Sequence, residues 1–313
     1  MRIDIWGWNR EPSRGDHQDL LRLAQTADEL GFGGVWFNEF HFTDPPQAYP
    51  STLLLAAAIF ARTERLRVGT AVLVLPMHEP HLLAEEIAQL DWQGDGRIDI
   101  GLGRGTLPSS FERVGIDPAT TRERFERGYR VLMESWRDLP LVQTPHPPLF
   151  IGGASAETLE FAHEHGIPLL LGLEPGEHIQ LDLYGPILAE RGGPSLIPRS
   201  SLARFVTIGA TPAKAAEAID TLVDRIQARR LEMSVALGKP TAPMDRDALL
   251  AKQFIAGTPD QCVAQIEALG AKFGMANIRC VFNGSGAIGA DVAAQAMMLF
   301  GREVLPAFHG GGA

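Results

Sequence analysis

Short apolar runs alternate with amphipathic stretches along almost the whole chain. The runs are continuous, which is typical of strands that are covered on both faces in a parallel sheet. They predict strands at 3–8, 34–37, 66–75, 98–103, 148–152, 168–172, 202–208 and 277–282. In the stretches between them, apolar residues recur with the period of a helix. These stretches predict helices at 16–30, 52–61, 79–93, 122–137, 157–165, 177–191, 212–229, 259–273 and 290–305.

The order of these elements predicts the fold class. Strands that are each followed by a helix are typical of a single α/β domain, a (β/α)8 TIM barrel, and 313 residues suit one such barrel. A doubly wound open sheet is the alternative. We expect the barrel to span residues 1–309, followed by a frayed tail at 310–313. The interval 231–257, after the seventh strand and helix, has no clear period and predicts a lid or a disordered connection.

Composition and charge exclude several classes of function. The net charge is −10, and no stretch concentrates Lys or Arg among aromatic residues, so we expect no nucleic-acid partner. Cys262 and Cys280 have no Cys or His at ligand spacing, which excludes a disulfide framework or a CxxC zinc site. No apolar run reaches the roughly 18 residues of a membrane span. A strand pattern begins at the first residues instead of a signal peptide, so we expect a cytoplasmic protein without membrane association.

Two features at the carboxyl ends of predicted strands are suited to an anion. Arg104 follows the fourth strand, and its planar guanidinium suits bidentate contact with phosphate oxygens. Gly153, Ala154 and Ser155 follow the fifth strand and open a helix, where backbone amides attract anions and glycine lets a ligand approach. The alternative is structural: Ser155 caps its helix, and Arg104 pairs with a carboxylate at the same edge. These residues alone leave both interpretations open.

The second predicted strand ends in titratable residues. Glu39 and His41 stand on either side of Phe40, and a histidine at a barrel rim can transfer a proton near neutral pH. His41 and Glu39 are therefore candidate catalytic residues, and the alternative for His41 is a hydrogen-bonded structural role. His78 and His81 do not predict a metal site, because they lie at a helix entry without a fourth ligand.

Several spaced motifs resemble those of the bacterial luciferase-like monooxygenases. The third strand and the next helix carry GTAV, LP and AEEIAQLD, GR precedes the fourth strand, GLGRG ends it, and WFNEFHF ends the second strand. The resemblance covers nearly the whole chain and implies a TIM barrel that binds FMN. It implies that Arg104 and the segment from Gly153 to Ser155 hold the FMN phosphate. It also implies a cis peptide between Ala71 and Val72 beneath the flavin ring, and a mobile lid over 231–257.

The activity implied by the resemblance is that of a flavin-dependent monooxygenase. Such an enzyme uses reduced FMN and dioxygen, here on a small or medium, largely apolar organic substrate such as an aldehyde. A separate flavin reductase would supply the reduced FMN, since no nicotinamide site is recognisable in the sequence.

The chain departs from the family at one position that matters for this activity. Phe40 replaces the first histidine of the family pair, so acid–base chemistry is expected to move to His41 or to be lost. Two alternatives therefore stay open. One is a deazaflavin-dependent hydride-transfer enzyme of the same fold, although GTAV and GRG favour FMN. The other is a non-catalytic flavin-binding or partner subunit.

The helix at 52–61 predicts a homodimer. It reads LLLAAAIF from Leu53, which is apolar on every face, whereas a helix on the outside of a barrel ordinarily exposes one polar face. Members of the resembled family pair through this region. We therefore expect the helices at 52–61 and 79–93 to form the interface.

Overall fold

Strands and helices alternate through the chain in the computed structural model, which describes residues 1–8, 18–44, 46–173, 176–236, 245–284 and 286–309. The strands are β1 (Arg2–Trp6), β2 (Gly34–Phe37), β3 (Arg67–Val74), β4 (Ile98–Gly103), β5 (Leu149–Gly152), β6 (Leu169–Leu171), β7 (Ser201–Ile208), β8 (Phe254–Gly257) and β9 (Asn277–Val281). The helices are α1 (Gln18–Leu30), α2 (Thr52–Phe60), α3 (Pro80–Gln93), α4 (Pro108–Arg113), α5 (Thr121–Ser135), α6 (Ala156–Glu164), α7 (Glu177–Arg191), α8 (Pro212–Ala236), α9 (Arg246–Gln253), α10 (Pro259–Phe273) and α11 (Ala290–Glu303). Every predicted strand and helix corresponds to one of these elements.

The strands close into a barrel in which all neighbours run parallel. β1 to β7 pair in sequence order, and β9 closes the ring by pairing with both β7 and β1. β8 lies outside this ring, beside the carboxyl half of β7. The closed ring confirms the predicted (β/α)8 barrel, and the open-sheet alternative is wrong. Because helices cover the outside and side chains fill the inside, the strands need the continuous apolar runs seen in the sequence.

The prediction of an irregular connection over 231–257 is wrong for most of this interval, which is occupied by helices and a strand. α8 continues to Ala236, α9 begins after its cap Asp245, and β8 occupies the four residues before Thr258. A run of four apolar residues is too short to show the period of a strand or a helix. These residues form a strand because they pair with β7. Residues 237–244 and the tail at 310–313 lie outside the described residues, so the lid and the fraying stay predictions. Neither α9 nor β8 lines the cavity described below.

A polar layer fills the barrel interior next to that cavity. Trp36 of β2 donates from Nε1 to Asp4 of β1 at 2.7 Å. Gly69 of β3 gives the Trp36 ring room, because a Cβ at residue 69 would lie 2.3 Å from it. The buried guanidinium of Arg279 lies 5.0 Å from the centre of the Trp6 ring. Burial lowers the pKa of Arg279 to about 9, although the carboxylate of Asp4 opposes that shift. This layer supports Trp6, whose side chain lines the cavity.

Three features of the described part of the chain bear on other kinds of site. No group of three or more His, Cys, Asp or Glu side chains in it is placed to hold a metal ion. None of its helices is both long and apolar enough to cross a membrane. Cys262 and Cys280 are buried and unpaired, and burial raises the pKa of the Cys262 thiol to about 12. That thiol is therefore protonated and unreactive at neutral pH.

Candidate active site

The carboxyl ends of the barrel strands surround a cavity of about 450 Å³. Its walls come from the segments that follow β1 to β6, the place where barrel enzymes bind their ligands. The residues singled out from the sequence all line it: Glu39, His41, Ala71, Val72, Arg104, Gly153, Ala154 and Ser155. They follow or end four different strands, so only closure of the barrel brings them together.

An irregularity in β3 shapes one side of the cavity. The peptide between Ala71 and Val72 is cis, as the family resemblance implied, and the pairing of β3 with β4 shifts register between Thr70 and Leu73. Asn38 donates from Nδ2 to the carbonyl of Ala71 at 2.6 Å. The backbone amide of Glu39, in the segment after β2, donates to the carbonyl of Val72 at 3.3 Å. The segment that follows β2 thus holds the carbonyl group of the cis peptide and the carbonyl group of the peptide after it.

Two glycines make room for the Val72 side chain. A Cβ at Gly103, the last residue of β4, would lie 2.4 Å from a methyl group of Val72. A Cβ at Gly152, the last residue of β5, would also lie 2.4 Å from a Val72 methyl group. Val72 therefore packs against the ends of both strands, and no larger residue fits at either position without displacing it.

The anion-binding candidates are placed together and have little else to bind. Within the described residues, no side chain forms a hydrogen bond or ion pair with Arg104. The exposed carboxylate Glu157 is nonetheless close enough that its pKa is lowered, first by a hydrogen bond with Ser155 and then by the charges of Arg122 and Arg104. The amides of Ala154 and Ser155 likewise donate to no acceptor in that part of the chain. Ser155 does cap α6, since its hydroxyl accepts from the amide of Thr158 at 3.4 Å. A cation and two open amides on one cavity wall form a site for an anion.

A glutamine of α7 fixes the backbone that precedes Ser155. Gln180 of α7 donates from Nε2 to the carbonyl of Gly153 at 2.8 Å and accepts from the amide of Gly172 at 2.8 Å. A Cβ at Gly153 would lie 2.7 Å from the Thr158 side chain, so glycine is required by this close approach. The segment that offers the amides is therefore fixed between α6 and α7.

Glu39 is the centre of a hydrogen-bonded group. Its Oε1 atom accepts from Nε2 of His41 and from Nε2 of His78, each at 3.0 Å, and its Oε2 atom accepts from the amide of Val74 at 2.5 Å. Burial raises the pKa of Glu39, but the hydrogen bonds from His41 and His78, the charge of His78 and the amide of Val74 together lower it to about 2. Burial lowers the pKa of His78, but the hydrogen bond and charge of Glu39 outweigh it, so the pKa of His78 is raised.

We expect this group to make the stability of the protein depend on pH. The folded pKa of Glu39 lies below its ordinary value of 4.5, so its contribution is present above about pH 4.5 and is lost as the pH falls towards 2. The folded pKa of His78 lies above its ordinary value of 6.5, so its contribution is present below that pH and is lost as the pH rises through the folded value. Glu39→Gln should lower the free energy of unfolding by on the order of 3 kcal/mol near pH 6. Denaturant titrations at several pH values would measure this loss.

The matched control for that measurement is the exposed carboxylate Glu112 of α4. Glu112→Gln should change the free energy of unfolding by little at any pH. The loss caused by Glu39→Gln should shrink towards pH 2, where Glu39 becomes protonated in the wild-type protein as well. A loss that stays the same across the whole pH range would show that the charge of Glu39 does not stabilise the fold.

The short helix α4, which the sequence did not predict, forms the cavity wall next to His41. The hydroxyl of Ser110 donates to the carbonyl of His41 at 2.8 Å. The guanidinium carbon of Arg113 lies 5.1 Å from the centre of the Phe42 ring, and Phe42 has a φ of 57°. α4 therefore holds the loop that carries His41. The apolar part of the lining consists mainly of Trp6, Phe40, Met77, Leu107 and Phe111.

Sequence reasoning missed three parts of this site. His78 binds Glu39, Asn38 binds the carbonyl of Ala71, and α4 contacts the His41 loop. His78 comes 39 positions after Glu39 in the sequence, so no local pattern pairs the two residues. Asn38 directly follows an apolar strand, as Glu39 nearly does, and that position was a signal that could have identified it. α4 lies between two prolines and spans six residues, which is too short for a helical period to appear.

The chain is similar to known proteins over nearly its whole length. Residues 2–276 match the family model described as luciferase-like monooxygenase. The 4-hydroxyprotoasukamycin monooxygenase of Streptomyces nodosus subsp. asukaensis is 28% identical, in a match that covers 93% of this chain and 86% of the relative. Other curated relatives match this chain over only about half of their own length.

Two solved structures share the fold. The monooxygenase RslO1 of Streptomyces bottropensis has a TM-score of 0.79 and 26% identity, and the match covers 98% of this chain and 100% of that one. The oxygenating constituent of 3,6-diketocamphane monooxygenase from Pseudomonas putida, solved with FMN, has a TM-score of 0.77 and 18% identity, with 98% of each chain covered. At 18% identity the second likeness concerns the fold alone.

Proposed function

Because the chain belongs to the luciferase-like monooxygenase family, we propose that it is a flavin-dependent monooxygenase that uses reduced FMN and dioxygen. Its substrate is a small or medium organic molecule that is largely apolar. The observation that carries this proposal is the anion site on the cavity wall, where Arg104 and the amides of Ala154 and Ser155 form no hydrogen bond or ion pair in the described part of the chain.

The residues present fit a flavin mononucleotide. Arg104, Ala154 and Ser155 would hold its single phosphate, since charge-assisted hydrogen bonds from guanidinium and backbone amides suit phosphate oxygens. Ala71 and Val72 would face the ring system, and Gly103 and Gly152 leave the Val72 side chain in place there. Reduced FMN would supply the two electrons with which dioxygen is split, one oxygen atom entering the substrate and the other leaving as water.

The chain itself contributes positioning, exclusion of water and proton transfer. The apolar wall from Trp6 to Phe111 binds an apolar substrate and keeps water from the reacting centre. His41 lines the cavity and is held by Glu39, so it is the group placed to give or take a proton there. Phe40 also lines the cavity but has no titratable group, so it adds apolar surface only. A separate reductase would deliver the reduced flavin.

The test is a direct one with reduced FMN, dioxygen labelled with ¹⁸O, and a panel of linear aldehydes, ketones and terpenes. Transfer of one labelled oxygen atom to any member of the panel supports the proposal. A parallel reaction with a reduced deazaflavin and the same carbonyl compounds measures hydride transfer. Activity in the deazaflavin arm alone would replace the proposal with a hydride-transfer enzyme, and tight FMN binding without activity in either arm would indicate a non-catalytic subunit.

We also propose that the protein is a homodimer formed through α2 and α3. Leu54 of α2 and Leu82 and Trp92 of α3 are 76%, 60% and 59% exposed, and α2 packs against α3. Large apolar side chains exposed this far on neighbouring helices mark a protein interface. Leu54→Asp should weaken the dimer by about 30-fold or more, because a charge in the centre of an interface costs about 2 kcal/mol or more. Sedimentation velocity over a range of protein concentrations measures this.

Val292 of α11 offers the matched control. It is 58% exposed, close to the exposure of Leu82, but it belongs to a different helix of the barrel. Val292→Asp should leave the dimer unchanged. A wild-type protein that sediments as a monomer at micromolar concentration would overturn the proposed dimer.

A further inference from the structure

His78 belongs to the hydrogen-bonded group of Glu39, but it does not line the cavity. Its Nε2 atom contacts both carboxylate oxygens of Glu39, at 3.0 and 3.1 Å, and 22% of its side chain is exposed. Glu39 and His41, in contrast, both line the cavity. The side-chain hydrogen bonds that connect His78 to the cavity lining are therefore those with Glu39.

The hydrogen bonds of Glu39 determine which nitrogen of His41 can exchange a proton. An ionised carboxylate only accepts hydrogen bonds, so Nε2 of His41 carries the hydrogen in this contact. No atom of the described residues forms a hydrogen bond with Nδ1 of His41. Nδ1 is therefore the nitrogen that gains or loses a proton when the imidazole changes charge.

We propose that His78 is a positioning residue that acts on His41 through Glu39. It holds the carboxylate so that His41 keeps its hydrogen on Nε2, and its charge acts on the same oxygen atom that His41 contacts. Its importance for turnover rests on the proposed function, in which His41 transfers protons. With Phe40 in place of a second cavity histidine, His78 is the other imidazole that shares the carboxylate with His41.

The physical reason lies in the shared oxygen atom. His41 and His78 both donate to Oε1 of Glu39, so each imidazole experiences the charge of the same carboxylate. When His78 is charged, it offsets part of the negative charge that would otherwise stabilise a charged His41.

Other charged groups face this pair from the neighbouring elements. Glu86 of α3 favours the charged form of His78. Arg124 of α5 donates to the carbonyl of Pro76 at 3.0 Å, in the turn before His78. Arg113 of α4 lies over the ring of Phe42, next to His41. In the described part of the chain, none of these three forms a hydrogen bond or ion pair with Glu39.

The direct test is the long-range ¹H–¹⁵N spectrum of the histidine side chains, recorded on the full-length protein across the neutral pH range. His41→Gln and His78→Gln identify the signals of the two residues among the nine histidines. In the wild-type protein we expect neutral His41 to carry its hydrogen on Nε2, and its titration curve to show a second step where His78 titrates. A wild-type His41 with its hydrogen on Nδ1 would overturn the proposal, and this measurement needs no variant to fold.

His78→Gln separates charge from geometry, because a glutamine amide still donates to Glu39 but carries no charge. The midpoint of the His41 titration should rise by about one pH unit, with the hydrogen still on Nε2. His78→Leu removes the donor as well, and we expect His41 to populate both neutral forms. His81→Gln, at an exposed position of α3, is the matched control and should change neither signal. An unchanged His41 midpoint in His78→Gln would show that His78 is only structural.

Turnover separates this proposal from the proposed function. If the protein is a monooxygenase, the pH profile of kcat in His78→Gln should move in the same direction as the His41 titration, with KM for the substrate little changed. If the wild-type protein shows no turnover with reduced FMN, the proposed function fails, while the spectrum still decides whether His78 acts on His41. A His41 midpoint that moves without any change in the pH profile would overturn the catalytic part of this inference.

Discussion

Replacing His41 with alanine is expected to lower turnover by ~10²–10⁴-fold while flavin affinity changes little. His41 is the histidine that lines the cavity, and its Nε2 atom is held by Glu39 at 3.0 Å. An alanine cannot transfer a proton, and no other imidazole in the described residues lines the same cavity. The pH profile of turnover in this variant should also lack the limb near neutral pH that we expect in the wild-type protein. Steady-state turnover and flavin binding, measured separately, would give the two quantities.

His81 is the matched control for this measurement. It is an exposed histidine of α3, so His81→Ala removes the same side chain without touching the cavity, and turnover should stay near the wild-type value. Phe40→His adds an imidazole to the cavity lining and should change or raise activity without abolishing it. Full turnover in His41→Ala would mean that His41 is structural, and that flavin or water carries the protons.

Replacing Arg104 with alanine is expected to weaken FMN binding by roughly ten- to a hundred-fold. A charge-assisted hydrogen bond contributes ~1.5–3 kcal/mol, which corresponds to that loss of affinity. Arg104 forms no hydrogen bond or ion pair within the described residues, so FMN binding does not have to break one. The measurement is a fluorescence titration with FMN and, in parallel, with riboflavin, which lacks the phosphate.

Two comparisons decide whether the phosphate is the target of Arg104. Riboflavin affinity should be nearly the same in Arg104→Ala and the wild-type protein. Arg113→Ala removes an equal charge from the neighbouring α4 without removing a cavity side chain, and FMN affinity should change by little. An equal loss of affinity for FMN and riboflavin in Arg104→Ala would contradict phosphate binding by this residue.

Most of the fold could be predicted from the sequence because the barrel imposes one simple pattern. Strands covered on both faces need continuous apolar runs, and the helices between them need one apolar face, so each element leaves a local signal. The exceptions show where that signal fails. β8 consists of four residues and exists through its pairing with β7, and α4 is a single short helix between loops. Elements of this length are set by their neighbours and carry little pattern of their own.

The candidate site likewise contains some residues that the sequence could identify and others that it could not. Arg104 and Ser155 could be found because Arg104 directly follows β4, Ser155 comes three positions after the end of β5, and the ends of parallel strands meet at one rim. His78 could not be found as a partner of Glu39, because 39 positions separate the two residues and no pattern records which side chains meet. The roles of Asn38 and Ser110 were hidden for the same reason, since both bind backbone carbonyl groups of other segments.

The spaced motifs of the sequence resemble those of the luciferase-like monooxygenases. By itself, the sequence also determined a parallel barrel, the rim that carries its ligands, and the residues at that rim suited to an anion and to proton transfer. These properties follow from local pattern, because apolar period, glycine position and residue type act on neighbours in the chain. Only the tertiary structure decided that Arg104 lines the cavity without a hydrogen bond or ion pair among the described residues, that two imidazoles share the carboxylate of Glu39, and that α4 holds the loop of His41. Those properties depend on contacts between segments far apart in sequence, and such contacts exist only once the barrel has closed.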